Sequence, residues 1–179
     1  YAVYHGPEGL KRIAERIHRL AGLMAEGLKD KGFKLRHASY FDTLVVDVGS
    51  QKKQAGLYQA ALTQKINLRL VGDEALGISL DETTSLKDVH LLLNLFCAGD
   101  HALNLPQLDH EIAAHNRPPG IPEALERQDS VLEHPIFNRF HSETEMLRYL
   151  RRLEGRDIAL NHAMIPLGSC TMKLNATAE

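Results

Sequence analysis

Between Pro7 and Gly32 the apolar side chains recur at the period of an α-helix: Leu10, Ile13, Ala14, Ile17, Leu20, Ala21, Met24 and Leu28. That spacing lays them along one stripe of a helix, and so long a stripe has to be covered by a second layer of structure. Pro7 is tolerated in a first helical turn, Glu8 complements the positive end of the helix dipole, and Gly32 stops the helix after Lys29 and Lys31. One amphipathic helix of about seven turns at most is expected. Lys11, Arg12, Glu15, Arg16 and Arg19 fall mostly on its outer face. Whatever else the chain does, it builds a core against this helix.

The covering layer is legible in the following residues. Thr43 to Val48 is a β-branched run that reads as a strand. A short helix is expected from about Lys52 to Lys65, then a strand around Ile66-Asn67-Leu68-Arg69-Leu70. Gly72-Asp73 and Gly77 read as a turn before Ile78-Ser79-Leu80. Ser85 and Asp88 stand at capping-box spacing and open a helix from Leu86 to Cys97. Helix, strand, helix, strand, helix within residues 1–99 makes a compact α+β unit. From Gly99 to about Gln128 periodicity fades, and Pro106, Pro118, Pro119 and Pro122 mark a linker or a long surface connection over 100–128. Residues 129–179 start afresh. There Ser142 and Glu145 form a second capping-box pattern, opening a helix whose inner face is Met146, Leu147, Tyr149, Leu150 and Leu153. With a single helix, this part is expected to pack less completely than residues 1–99.

Charge and composition exclude several classes of partner. Lys and Arg number 21 and Asp and Glu 23, a net charge of −2, so nothing draws this chain to nucleic acid or to an anionic membrane. No apolar run approaches the roughly 20 residues that span a bilayer, and a soluble chain is expected. Cys97 and Cys170 are too few for a disulfide framework and fit a reducing compartment. The ten His residues are scattered, as surface and capping histidines are. His110 and His115 imitate a zinc-binding helix, but chelation from one face needs positions i and i+4. A spacing of i+5 turns the second ring about 140° away, so no metal site is expected.

The densest chemistry lies near the end of the chain. An apolar lead-in, Ala163-Met164-Ile165-Pro166-Leu167, delivers Gly168, Ser169, Cys170 and Thr171, followed by Lys173 and Asn175. Small polar groups beside a glycine let backbone and donors approach a ligand closely. Ser169 and Lys173 are four apart, whereas a serine–lysine acylation pair needs three. Cys170 does stand three before Lys173, which could depress its thiol pKa; a small side chain packed beside a ligand is the plainer alternative. A Schiff-base role for Lys173 would need a desolvated pocket, and no Gly-x-Gly-x-x-Gly or Gly-Lys-Ser/Thr loop is present. The chain begins at Tyr1 without Met and ends soon after the motif, at Thr177-Ala178-Glu179. It is therefore expected to be a piece of a longer protein that carries half of a polar ligand site.

Two segments, His134-Pro135-Ile136-Phe137-Asn138-Arg139-Phe140-His141-Ser142-Glu143-Thr144-Glu145-Met146-Leu147-Arg148-Tyr149 and Met164 to Asn175, resemble the P-protein family of the glycine cleavage system. Tyr1 to Leu10 and Gly77 to Thr84 are similar to the same family, so the likeness runs in order along the chain. The resemblance implies an enzyme, a pyridoxal-phosphate-dependent glycine decarboxylase. It implies two homologous halves of aminotransferase (type I) fold, with residues 1–99 the small C-terminal domain of the first half. Residues from about 129 would open the second, cofactor-bearing half. The cofactor lysine is expected beyond Glu179, so no catalytic residue is expected here. Gly168, Ser169, Cys170, Thr171, Lys173 and Asn175 are the substrate- or cofactor-side candidates. The implied partners are glycine, the lipoylated H protein and the other half of the P protein, as a dimer. The implied compartment is the cytoplasm of a bacterium or the mitochondrial matrix of a eukaryote. The competing expectation is a stand-alone, non-catalytic α+β interaction module.

Overall fold

A computed structural model describes residues 1–97, 105–114 and 120–156. The chain divides into two compact units, one of Lys11–Asp129 and one that joins Tyr1–Leu10 to Ser130–Glu179.

The larger unit is built on the part of helix α1, Ala2–Asp30, that runs from Lys11 onward and carries most of the predicted stripe. Ile17, Leu20, Ala21, Met24 and Leu28 are buried as the period requires, and Leu23, Ala25 and His18 join them, so the covered arc is wider than the stripe. Covering it is a four-stranded antiparallel sheet in the order β1-β2-β4-β3. The strands are β1 Lys34–Leu35, β2 Thr43–Asp47, β3 Arg69–Val71 and β4 Ala75–Ser79. Because β2 and β3 each run antiparallel to β4, they run parallel to one another, and helix α2, Gln51–Thr63, makes the crossover between them. Consecutive buried residues in β2 (Leu44, Val45, Val46) show both faces of the central strands covered. Helix α3, Leu86–Phe96, completes the core with Val89, Leu92, Leu93 and Phe96. The described part is thus α+β.

Local signals account for most boundaries. Ser85 and Asp88 form the full reciprocal capping box at the start of α3. Ser50 caps α2 by accepting the Lys53 N–H. The buried Gln54 amide donates to the carbonyls of Gly72 and Ala75 at 2.8 and 2.7 Å, fixing the turn between β3 and β4. Here the structure departs from expectation. Gly77 lies inside β4 rather than in a turn, with the Arg69 side chain of β3 lying over it; a Cβ there would stand 3.2 Å from Arg69 Cβ and Nε. The turn is confined to residues before Ala75, and β4 takes in Ala75 and Leu76. The stretch 100–128 also carries order: helix α4, Leu105–Ala114, buries Ile112 in the core, and Arg19 of α1 grips Asp109 with two bonds of 2.6 Å.

Among the described residues of this unit, two buried side-chain polar groups have no partner. The His18 Nδ1–H donates to the Phe41 carbonyl at 2.7 Å, and the buried Nε2 has no hydrogen-bond partner. The Tyr40 hydroxyl is likewise buried and unpaired. Burial, reinforced by the charge of Glu26, pushes the Tyr40 phenol up to about 12. The folded state therefore keeps this proton where an unfolded tyrosine, with its pKa near ~10, gives it up. Stability falls as pH rises from about 10 to about 12 on this account. Tyr40→Phe removes an unsatisfied hydroxyl, so its thermal midpoint at neutral pH should equal or exceed wild type and its alkaline decline should flatten. A midpoint lowered by more than ~4 °C, the effect of about 1 kcal/mol in a domain of this size, would contradict that account.

Candidate functional site

The residues expected to face a ligand, Gly168, Ser169, Cys170, Thr171, Lys173 and Asn175, lie outside the described residues. Of the smaller unit the structure describes residues 1–10 and 130–156.

The first feature of this unit is a Gly-Pro step. A residue before proline is pushed out of the helical region, and Gly6 takes φ 64°, ψ −179°, a conformation essentially reserved for glycine. The first turn of α1 is thereby set off from its body, which begins at Pro7 as the sequence predicts. Two features of segment 134–141 meet this break. The His141 Nδ1–H donates to the Tyr4 carbonyl at 2.7 Å. A Cβ on Gly6 would sit 2.7 Å from both the His141 ring and the Phe137 carbonyl. The absence of a side chain at Gly6 is what lets the later segment close on the first turn.

The later segment is itself held in shape by local bonds. His134 accepts the Ile136 N–H through Nδ1 and so caps a short 3-10 helix, Pro135–Asn138, which has proline in its first turn. His134 thus uses Nδ1 as an acceptor and His141 uses Nδ1 as a donor. Asn138 donates to the carbonyl of Leu132, a non-glycine residue at φ 54°. Ser142 caps α5, Glu143–Glu154, by accepting the Glu145 N–H. Phe140 stacks on Tyr149 of that helix, with centroids 4.4 Å apart at 18°. The Arg139 and Arg152 guanidinium groups lie 5.5 and 5.7 Å from the Phe140 ring centre. A clasp results: Tyr4, Gly6, Phe137, Phe140, His141 and Tyr149 lock the first turn of the chain to the helix from which the chain runs on toward Gly168.

None of these clasp residues carries a role on composition or spacing alone. The one local sign was Gly-Pro after an aromatic turn. His110, half of the rejected zinc pattern, is exposed on α4, and His115 lies outside the described residues. Among the described residues no group of three or more His, Cys, Asp or Glu is placed to hold a metal ion. Cys97 is a free thiol whose pKa burial raises, so it offers no activated nucleophile. Among them, too, no helix is long and apolar enough to cross a membrane.

Comparison with known proteins adds the last observations. A family model described as the glycine cleavage system P-protein matches residues 1–96. Curated glycine dehydrogenases (decarboxylating) from Salmonella heidelberg strain SL476, Salmonella enteritidis PT4 and Salmonella arizonae are each 55% identical to the chain over 179 residues. The chain spans 18% of the length of each of these relatives.

Proposed function

The chain belongs to the P-protein family of the glycine cleavage system, and from that we propose that it is a stretch of a pyridoxal-phosphate-dependent glycine decarboxylase. The proposed reaction releases the carboxylate of glycine as carbon dioxide and passes the aminomethyl group to the lipoyl arm of the H protein. The observation that carries this reading is the 55% identity, over all 179 residues, to proteins named glycine dehydrogenase (decarboxylating).

The aminotransferase-like fold and the two-half architecture belong to the same proposal. The break between compact units at Asp129 and Ser130 supports a junction there, with Tyr1–Leu10 grouped with the later residues. We take the partner to be the lipoylated H protein, the assembly a dimer of halves, and the compartment bacterial cytoplasm or mitochondrial matrix.

The described residues do not fit the cofactor. A lysine that holds it must be desolvated. Every described lysine is exposed except Lys31, which is half-buried and paired with Asp30 at 3.3 Å. The proposed contribution of this chain is to shape the substrate side. Decarboxylation needs the substrate held in one orientation with water excluded. Small side chains at Ser169, Cys170 and Thr171 suit a substrate without a side chain, and the hydroxyls of Ser169 and Thr171 suit its carboxylate. Gly168 permits close approach, while Lys173 and Asn175 add a cation and an amide to the same edge.

The test uses the complete gene product. It should bind pyridoxal phosphate with a visible absorbance band that changes on adding glycine. Cys170→Ser should keep the band but release carbon dioxide more slowly. A loaded protein whose band ignores glycine would overturn the proposal, and wild-type turnover in Cys170→Ser would remove Cys170 from the site.

A further inference from the structure

Strand β1 stands at one edge of the sheet, so only one of its sides is paired. Its register sets Lys34 against Asp47 and Leu35 against Val46, and the Arg36 N–H donates to the Val45 carbonyl at 2.8 Å. Bonding in an antiparallel ladder alternates along the strand, so the Leu35 N–H and C=O point away from β2, toward the free edge. Along that edge runs a groove of about 570 Å³ lined by Lys29, Phe33, Lys34, Leu35, Arg36 and His37. Among the described residues no carboxylate lines it. Glu26 and Asp47, which pair with Lys29 and Arg36 at 2.8 and 2.7 Å, stand outside the lining. Arg36 uses Nε and Nη2 on Asp47, which leaves its Nη1 donors for a ligand. Lys34 makes no ion pair among the described residues.

We propose that this edge docks an extended segment of a partner polypeptide in which acidic and apolar residues alternate. The occupant's chemistry follows from the period of the strand. Lys34 and Arg36, two apart, share one face, while Phe33 and Leu35 lie on the other and pack against the core. A strand added along β1 pairs its backbone with that of Leu35. It sets carboxylates beside Lys34 and Arg36 and continues the apolar side past Phe33 and Leu35. Lysine on a short edge strand is also a device that discourages pairing, and here it does so selectively. A second copy of β1 would bring Lys34 and Arg36 against the same charges, and like charges directly opposite are destabilising. An acidic strand gains from those charges, so charge complementarity favours it over a second copy.

Fluorescence anisotropy with a short labelled peptide of alternating Glu and Val tests this, on the 179-residue chain and on the complete gene product. The peptide should bind both. A Lys–Val counterpart, which reverses the charges, and the Glu–Val peptide methylated on its backbone nitrogens, which cannot pair as a strand, should each bind about 10-fold more weakly or worse. Lys34→Gln/Arg36→Gln should weaken Glu–Val binding by a similar factor. Its thermal midpoint should stay near wild type, because exposed ion pairs add little to stability. If that double variant fails to fold, the ranking of the peptides on the wild-type chain decides. Equal binding of the Glu–Val and Lys–Val peptides overturns the proposal, as does no binding at all. Equal binding of the methylated peptide would reduce the groove to undirected charge attraction, and tighter binding of a thymidine oligonucleotide would assign it to nucleic acid; either overturns it. So does a dimer in sedimentation that the Glu–Val peptide dissociates, which would assign the edge to a second copy. Binding by the 179-residue chain that is lost in the complete product would assign the edge to other parts of the same protein, and overturns it as well.

Discussion

Gly6→Ala should unfasten the clasp between the first turn of the chain and α5. The backbone alone accounts for about 1–3 kcal/mol, because φ 64° with ψ −179° is a region that alanine does not share. The new methyl would add contacts of 2.7 Å with the Phe137 carbonyl and the His141 ring, and one of these is backbone that has little room to yield. The His141 bond to the Tyr4 carbonyl would be lost with the fit. Hydrogen exchange across 135–154 should rise sharply in Gly6→Ala, while the sheet of the larger unit keeps its protection. His141→Ala, which loses one hydrogen bond and no backbone fit, should have a smaller effect of ~1 kcal/mol. Unchanged exchange across 135–154 in Gly6→Ala would show that the clasp does not hold this segment.

The second large effect is expected in the core of the larger unit. Leu23 is fully buried, although it lies beside the helical stripe rather than on it. Leu23→Ala should therefore cost about 2–5 kcal/mol, as core leucine truncations do, and as much as the same change at Met24. Urea denaturation at neutral pH gives both values. A Leu23→Ala cost under ~1 kcal/mol would mean that the covered arc is no wider than the sequence period.

The contrast between these two sites explains what the sequence made legible. Helix α1, strand β2, helix α3 and the start of α5 were readable because each is announced locally, by a 3.6-residue period, a β-branched run or a Ser three residues before an acid. Strand β1 was missed because two residues carry no period, and their pairing with Val46 and Asp47 is decided by the neighbouring strand. Gly77 was misread as a turn because its reason for being glycine is non-local, the Arg69 side chain lying over it. Helix α4 was hidden because Pro106 in its first turn and Pro118 and Pro119 after it read as a linker, whereas its place is set by Ile112 and by the Arg19–Asp109 pair. The width of the α1 arc depends on how many layers cover it, which no single helix states.

The functional residues divide along the same line. Gly168, Ser169, Cys170, Thr171, Lys173 and Asn175 were singled out by residue chemistry and by family likeness, since small polar groups after a glycine are a local signal. The clasp was not, because Gly6 and His141 are separated by more than 130 positions and meet only in the fold. Its members nevertheless fall inside two of the segments that carry the family likeness, Tyr1 to Leu10 and His134 to Tyr149. In the fold one of those two segments closes on the other.

The central claim is most directly tested by isotope exchange between bicarbonate and the carboxyl group of glycine. The complete gene product, loaded with pyridoxal phosphate and mixed with lipoylated H protein, should incorporate labelled carbon dioxide into glycine. Incorporation should fall in Gly6→Ala if the clasp positions the 168–175 segment. A folded, cofactor-loaded protein that leaves glycine unlabelled in the presence of H protein would contradict the account.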